Sequence, residues 1–544
     1  MTRQLLAGTA ITVLLAGSAL AADLPVKAPP LPGCPGCNWN GFYVGVNLGG
    51  SIGHDRSQDS ISLNPTGNFG GALAPGVANP ISSTVYSQSP QGWLGGGQAG
   101  FNWQTGHIVL GAEGDWDWAR QRDNLQINNY IASGSFVAPA AYGYSDEEKI
   151  NWLATVRGRV GWASGYTLAY VTGGVAFGGV ESNYTFQSLG NLVFATAPAA
   201  ASFSTTKTGW VIGSGVETSL GWMGANHWSA KLEYLYVDLG TVSNSFAVPV
   251  AQTTLPPGGS TYTIASNTHI RDNIVRVGFN YRFGGETFGP PPAPTPGPCP
   301  TCNWTGFYVG FNETTSIGHD RAHETVSLLP PTIGGATTNP VTDVWHTESP
   351  VGWGVGGQLG FNWQTGNLVL GAEGDADWMN QRDSFSNVNF IASTAVVAPA
   401  QIGLTDDQKL KSLATLRGRI GWTENCFLWY VTGGAAWGRV ESNYSFQTNQ
   451  LAGTALLSSP LLLASASQTK GGWTIGGGVE STLSWLGLGD RWTSKFEYLY
   501  VNLGSISNSF SIPLTTGAGA YAFTSTSEIR DHIIRFGVNY RFGG

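Results

Sequence analysis

Apolar and polar residues alternate with a period of two through much of the chain. The clearest run is residues 107–121, where Ile108, Leu110, Ala112, Gly114, Trp116 and Trp118 interleave with Val109, Gly111, Glu113, Asp115 and Asp117. Side chains alternate across a strand, so this run sets an apolar, aromatic face against a carboxylate face. The run before it, residues 92–104, holds Trp93 and Trp103 ten residues apart on one face, and Thr105-Gly106 marks the turn between the two. Ten strand residues rise ~33 Å, or ~23 Å of membrane normal at a tilt of ~45°. That matches the apolar band of an outer-membrane barrel with an aromatic residue at each water interface. The same alternation predicts eight strands in the first half of the chain, at 41–54, 92–104, 107–121, 152–164, 166–182, 207–221, 228–240 and 269–283. Four connections (55–91, 122–151, 183–206 and 241–268) are long and rich in Ser, Thr, Asn, Ala and Pro, and the other three are tight. Long loops at one end and tight turns at the other mark an eight-stranded outer-membrane barrel.

Parity then assigns an inside and an outside. The inward set of the first half is Glu113, Asp115, Asp117, Glu217 and Glu233 against Arg157, Arg159, Lys231, Arg276 and Arg282. The second half repeats it with Glu373, Asp375, Asp377, Glu480 and Glu497 against Arg417, Arg419, Lys495, Arg535 and Arg541. An eight-stranded barrel is just wide enough for side chains to fill. Five acids facing five bases in so narrow a lumen predict a salt-bridged plug, because unpaired buried charges are costly. The outward aromatic girdle is Trp93, Trp103, Trp118, Trp152 and Trp162, then Trp353, Trp363, Trp378 and Trp422. Glu313 is the exception, a carboxylate at the outward position that Leu48 holds in the first half; shielding by the other barrel would account for it.

The halves are two copies of one unit. CPGCNWNGFYVG at Cys34 returns as CPTCNWTGFYVG at Cys299, SIGHDR at Ser51 returns at Ser316, VLGAEGD at Val109 returns at Val369, and NYRFGG at Asn280 returns at Asn539. Between them, residues 284–298 read GGETFGPPPAPTPGP, an extended and fairly stiff segment able to span ~45 Å. The expected fold is therefore all-β: two tandem eight-stranded antiparallel transmembrane barrels, 38–285 and 303–544, joined by a proline-rich periplasmic linker at 286–302.

Composition agrees with export and a membrane. Residues 1–22 have a basic start at Arg3, an apolar stretch and an Ala-Leu-Ala cleavage pattern, so they read as a signal peptide, followed by a periplasmic segment at 23–37. The 77 Gly, 21 Trp and 11% charged residues are unusual for a soluble domain. A net charge of −8 argues against a nucleic-acid partner.

Candidate chemistry is sparse. Cys34, Cys37, Cys299 and Cys302 form two C-x-x-C pairs in an oxidising compartment, read as structural disulfides, with a shared four-cysteine zinc site as the alternative. Cys426 has no counterpart and would be a free thiol or an intermolecular link. His54-Asp55-Arg56 recurs as His319-Asp320-Arg321, but nothing pairs it with a nucleophile, so it reads as a polar strand end. No catalytic residue, cofactor or metal site is expected.

The openings WNGFYVG and WTGFYVG, the GAEGD strand, RGRVGW, YVTGG and the closing VGFNYRF and FGVNYRF resemble the small immunogenic, porin-like outer-membrane β-barrel proteins of alphaproteobacteria, related to the outer-membrane protein A barrel. The resemblance covers roughly 38–285 and 303–544, and implies a Gram-negative outer-membrane location and a role in envelope integrity or surface contact. It also implies partners: outer-membrane lipid, the barrel-insertion machinery, an extracellular ligand reached by the loops, and further copies of the chain. This chain departs from the family pattern in having two barrel units and in ending on Gly543-Gly544 after Phe542. The expected function is a structural or surface barrel with plugged lumens; the alternative is a porin-like channel, either two narrow pores or one of sixteen strands.

Overall fold

The computed structural model describes residues 38–64, 80–134, 137–164, 166–189, 196–221, 225–249, 261–283, 303–329, 340–393, 400–424, 427–450, 459–483, 488–515 and 519–542. The signal peptide, the linker and all five cysteines lie outside them. The first copy supplies β1 (Gly41–Gly53), β2 (Asp55–Asn64), β3 (Ser82–Gln88), β4 (Gln91–Thr105), β5 (Ile108–Gly134), β6 (Val137–Ser164), β7 (Thr167–Leu189), β8 (Ala199–Ser219), β9 (Trp228–Pro249) and β10 (Thr261–Phe283). The second supplies β11 (Gly306–Gly318), β12 (Asp320–Leu329), β13 (Thr342–Glu348), β14 (Val351–Thr365), β15 (Leu368–Ser393), β16 (Ala400–Glu424), β17 (Phe427–Gln450), β18 (Leu462–Thr482), β19 (Trp492–Pro513) and β20 (Ala520–Phe542).

All twenty strands belong to one sheet. Its ladders run in a closed circuit of sixteen strands: β10, β2, β3, β15, β16, β17, β18, β19, β20, β12, β13, β5, β6, β7, β8, β9 and back to β10. The expectation of two tandem eight-stranded barrels joined by a linker is corrected by this circuit, which passes through both copies. The sheet forks only toward its foot, the end that carries the tight turns. There β1 fills the gap between β10 and β4, and β11 the gap between β20 and β14, so each copy forms a leg below a shared head.

The fork has a local cause. Pro90 and Pro350 lack an N–H and stand in the chain between β3 and β4 and between β13 and β14, where the extended run breaks. Beyond those breaks the two short strands exchange partners. β3 adds to β15, with Ser82 opposite Asn389, and β13 adds to β5, with Thr342 opposite Asn129. At the tips β5 and β15 pair directly and in parallel, Ala132 with Ala392. Register shifts ring the same level, between Trp118 and Gln121, Ile150 and Trp152, and Ile270 and Arg271, with equivalents in the second copy. Such bulges bend a strand and raise its twist, which lets a narrow leg open into a wider head.

Polarity inverts across this waist. On the legs the outer surface is apolar, with Phe42, Val46, Leu48, Trp103 and Trp118 exposed, while charged side chains fill the inside. In the head Gln126, Asn128 and Thr185 face out, and one apolar core holds Tyr142, Tyr144 and Phe186 of the first copy with Phe385, Phe446 and Phe523 of the second. Much of the sequence expected to be long outer loops is therefore strand. β5 continues to Gly134 and β6 begins at Val137.

Candidate functional site: the lumen of the legs

The leg interior is built by alternation. Glu113, Asp115 and Asp117 on β5 share the inward face, and β6 brings Arg157 and Arg159 opposite them. Arg157 spans three acids: its Nη2 lies 2.8 Å from Asp115, its Nη1 2.9 Å from Glu233, and Nη2 also reaches Glu113. Lys231 Nζ donates to Glu113 at 2.8 Å. Arg276 holds Asp115 at 2.8 Å, Asp117 at 2.9 Å and Glu233 at 2.7 Å. Arg159 pairs with Glu217 at 3.1 Å. The second leg repeats the cage: Arg417 with Glu373, Asp375 and Glu497, Lys495 with Glu373, Arg419 with Glu480, and Arg535 with Asp375 and Asp377.

Each cage excludes one expected member. Arg282 and Arg541 sit at the foot, where they donate to the carbonyls of Asn38 and Asn303 and lie over the Trp39 and Trp304 rings, 5.8 and 4.7 Å from the centroids. The girdle residues Trp93, Trp103, Trp118, Trp162, Trp353, Trp363, Trp378 and Trp422 are exposed on the outer surface, and Trp152 is half-buried, stacked on Trp116 at 4.5 Å. Glu313 is half-buried on β11 between Val355 and Phe536, with no ion pair among the described residues. Cys34, Cys37, Cys299, Cys302 and Cys426 lie outside the described residues.

Reading charges alone missed the neutral members of the cage. Tyr43 and Tyr170 donate to Glu113 and Glu233 at 2.7 and 2.9 Å, and the Arg159 guanidinium lies 4.7 and 5.3 Å from their ring centroids. Tyr308 and Tyr430 do the same in the second leg, at 2.6 and 2.9 Å. Trp39 and Trp304 are fully buried at the foot, each with its backbone N–H bonded to Gln104 or Gln364 at 2.7 Å. The signal was present: both Trp residues stand just before the first strand of their copy, and Tyr43 has the parity of the inward Asn47.

A closed ladder, an apolar outer band with aromatic girdles and a polar interior define a transmembrane β-barrel, the form in which strands cross a membrane without leaving backbone groups unpaired. The chain matches the family model described as outer membrane protein beta-barrel domain twice, over residues 9–283 and 301–542. It belongs to that family and carries its domain in duplicate, and it is an outer-membrane protein. Among curated relatives, the 31 kDa outer-membrane immunogenic protein of Brucella melitensis is 32% identical over 284 residues, 50% of this chain and 97% of the relative. The 22 kDa outer membrane protein of Rhizobium leguminosarum bv. viciae is 28% identical over 222 residues, 40% of this chain and 69% of the relative. Among solved structures, Ail of Yersinia pestis in complex with the heparin analogue sucrose octasulfate matches at 12% identity and a TM-score of 0.18, covering 43% of this chain and 99% of that one. A FadL homologue of Pseudomonas aeruginosa matches at 9% and 0.20, covering 92% and 91%. Scores this low carry no functional information.

Proposed function

We propose that this is a closed structural barrel that anchors a rigid β-head at the cell surface, for envelope integrity or surface contact. Tight turns of outer-membrane barrels face the periplasm, which sets the head outside. The observation that carries the reading is the filling of the interior at three levels. Trp39 and Trp304 stop the feet, buried ion-pair cages fill the legs, and aromatic residues from both copies fill the head. A channel needs a continuous water path, and each level opposes one. On this reading the partners are outer-membrane lipid on the legs, the barrel-insertion machinery during assembly and an extracellular ligand at the head, and no catalytic step is assigned.

The test is single-channel recording of the refolded full-length protein in a planar bilayer. The expected result is no conductance step, or only small flickering ones. Large, stable steps would overturn the closed reading in favour of a porin-like channel.

A further inference from the structure

One cluster in the head is not used by the closed-barrel reading. Glu324 on β12 and His346 and Glu348 on β13 are buried together, and one ligand atom from each lies within 4.8 Å of the other two. His346 and Glu348 are two residues apart on one strand and so share its inward face. The ring is held in place: it stacks on Phe385 at 4.1 Å, and Nδ1 lies 3.2 Å from the Thr347 carbonyl. In the tautomer that donates Nδ1–H to that carbonyl, the Nε2 lone pair faces Glu324 Oε1, 3.4 Å away. A histidine with one nitrogen tied to a backbone carbonyl and the other bare among carboxylates has the orientation of a metal ligand. Glu348 is 1% exposed, and neither of its carboxylate oxygens has a hydrogen-bond partner among the described residues. The charges that act most on it are the carboxylates Asp406, Asp383, Glu324 and Asp320.

The first copy serves as an internal control. There Asp59, Tyr86 and Gln88 stand where the second copy has Glu324, His346 and Glu348. The Tyr86 hydroxyl lies 2.8 Å from both Asp59 and Asp146, and Tyr144 donates to Asp59 at 2.9 Å. Both hydroxyls are gone from the second copy, where His346 replaces Tyr86 and Leu404 replaces Tyr144, while Glu348 adds a carboxylate. Donors have been lost from a site that keeps its acids.

We propose that Glu324, His346 and Glu348 bind one divalent transition-metal ion, with zinc(II) the ion to try first. One imidazole and two carboxylates suit such an ion better than calcium or copper(I). Ligand atoms each bonded at ~2.1 Å to one tetrahedral ion stand ~3.4 Å apart, so side-chain shifts of about an ångström close the site. β13 is the strand that crosses from the second copy to β5 of the first. A bound ion would therefore clamp the exchanged hairpin.

The refolded full-length protein is stripped with a chelator, dialysed against zinc(II), and its metal content measured beside Glu348→Gln. That variant places at 348 the residue the first copy already has at 88. The expected result is one zinc more per chain in the wild type than in the variant. Equal content in the two, or none in either, would overturn the site. Cobalt(II) supplies a readout that needs no variant. A bound-cobalt spectrum without thiolate charge-transfer absorption supports the site, and one in which every bound ion shows thiolate ligation overturns it in favour of the cysteines.

Discussion

The Tyr86 hydroxyl has one proton, yet it lies 2.8 Å from a carboxyl oxygen of both Asp59 and Asp146. It donates to one and must accept from the other, so one carboxyl is protonated. Tyr144 also donates to Asp59, which leaves Asp146 as the proton holder. Burial drives both the same way: Asp146 is pushed well above the usual carboxyl range and Asp59 up to about 6. A carboxyl whose pKa rises on folding contributes stability at pH below its unfolded value, and that contribution is lost as pH rises through the folded value. For Asp59 the window runs from the ordinary 3.8 to about 6. His319, above the girdle, is pushed down to about 3 by burial and acts in the opposite sense, costing stability as pH falls below the ordinary 6.5. Comparison with Asp59→Asn removes this carboxyl together with the charge that helps raise Asp146. The wild type should lose several degrees of Tm relative to the variant between about pH 4 and pH 7, followed by circular dichroism. Parallel Tm curves for the two proteins would show that Asp59 does not change its proton affinity on folding.

At the scale of elements, the bends of the waist are concentrated in a few residues. Gly504, where β19 shifts register against β20, has φ of +76°, and a Cβ there would meet nothing within 4 Å. Gly504→Ala should therefore cost only the backbone strain, about 1 kcal/mol, and Gly504→Asn less, measured by urea unfolding. A cost of several kcal/mol for Ala would mean that the shift is packed more tightly than the open space implies. The legs were legible in the sequence because lipid demands an apolar outer face, and the alternation of Trp116 and Trp118 with Asp115 and Asp117 leaves one assignment. The head was not. Its outward Gln126, Asn128 and Thr185 resemble loop composition, while its inward alternation of Leu125 with Ile127 and Tyr142 with Tyr144 runs on into polar Asn129, Asp146 and Glu148. The cages were half legible: opposite charges at inward parity pointed to pairing, but Tyr43 and Tyr170 carry no formal charge and could be weighed only once the face was known. The cluster at His346 was hidden for another reason. Its His-x-Glu pair becomes meaningful only when the exchanged pairing of β13 shows which groups it meets.

The exchange is a property of the whole molecule, and duplication is what makes it ambiguous from sequence. When two copies share a pattern, β3 can add to β5 of its own copy or to β15 of the other with the same alternation, so local pattern does not choose. The contacts at the seam are reciprocal. Asp123 accepts from the Ser89 N–H of its own copy at 2.6 Å and from Thr347 of the other. Asp383 accepts from the Ser349 N–H of its own copy at 2.7 Å and from Ser87 of the other at 2.9 Å. The hydroxyls of Ser89 and Ser349 meet on one carbonyl, that of Gly53, at 3.1 and 3.2 Å. With a shared apolar core above these contacts, the two halves hold together without the linker. A protease site placed within residues 286–302 should therefore be cut without releasing them. Size-exclusion chromatography with light scattering of the cut protein in detergent should give one particle of full mass until it is unfolded. Two particles of half the mass would show that the linker alone joins the copies, and the sixteen-strand circuit would be wrong.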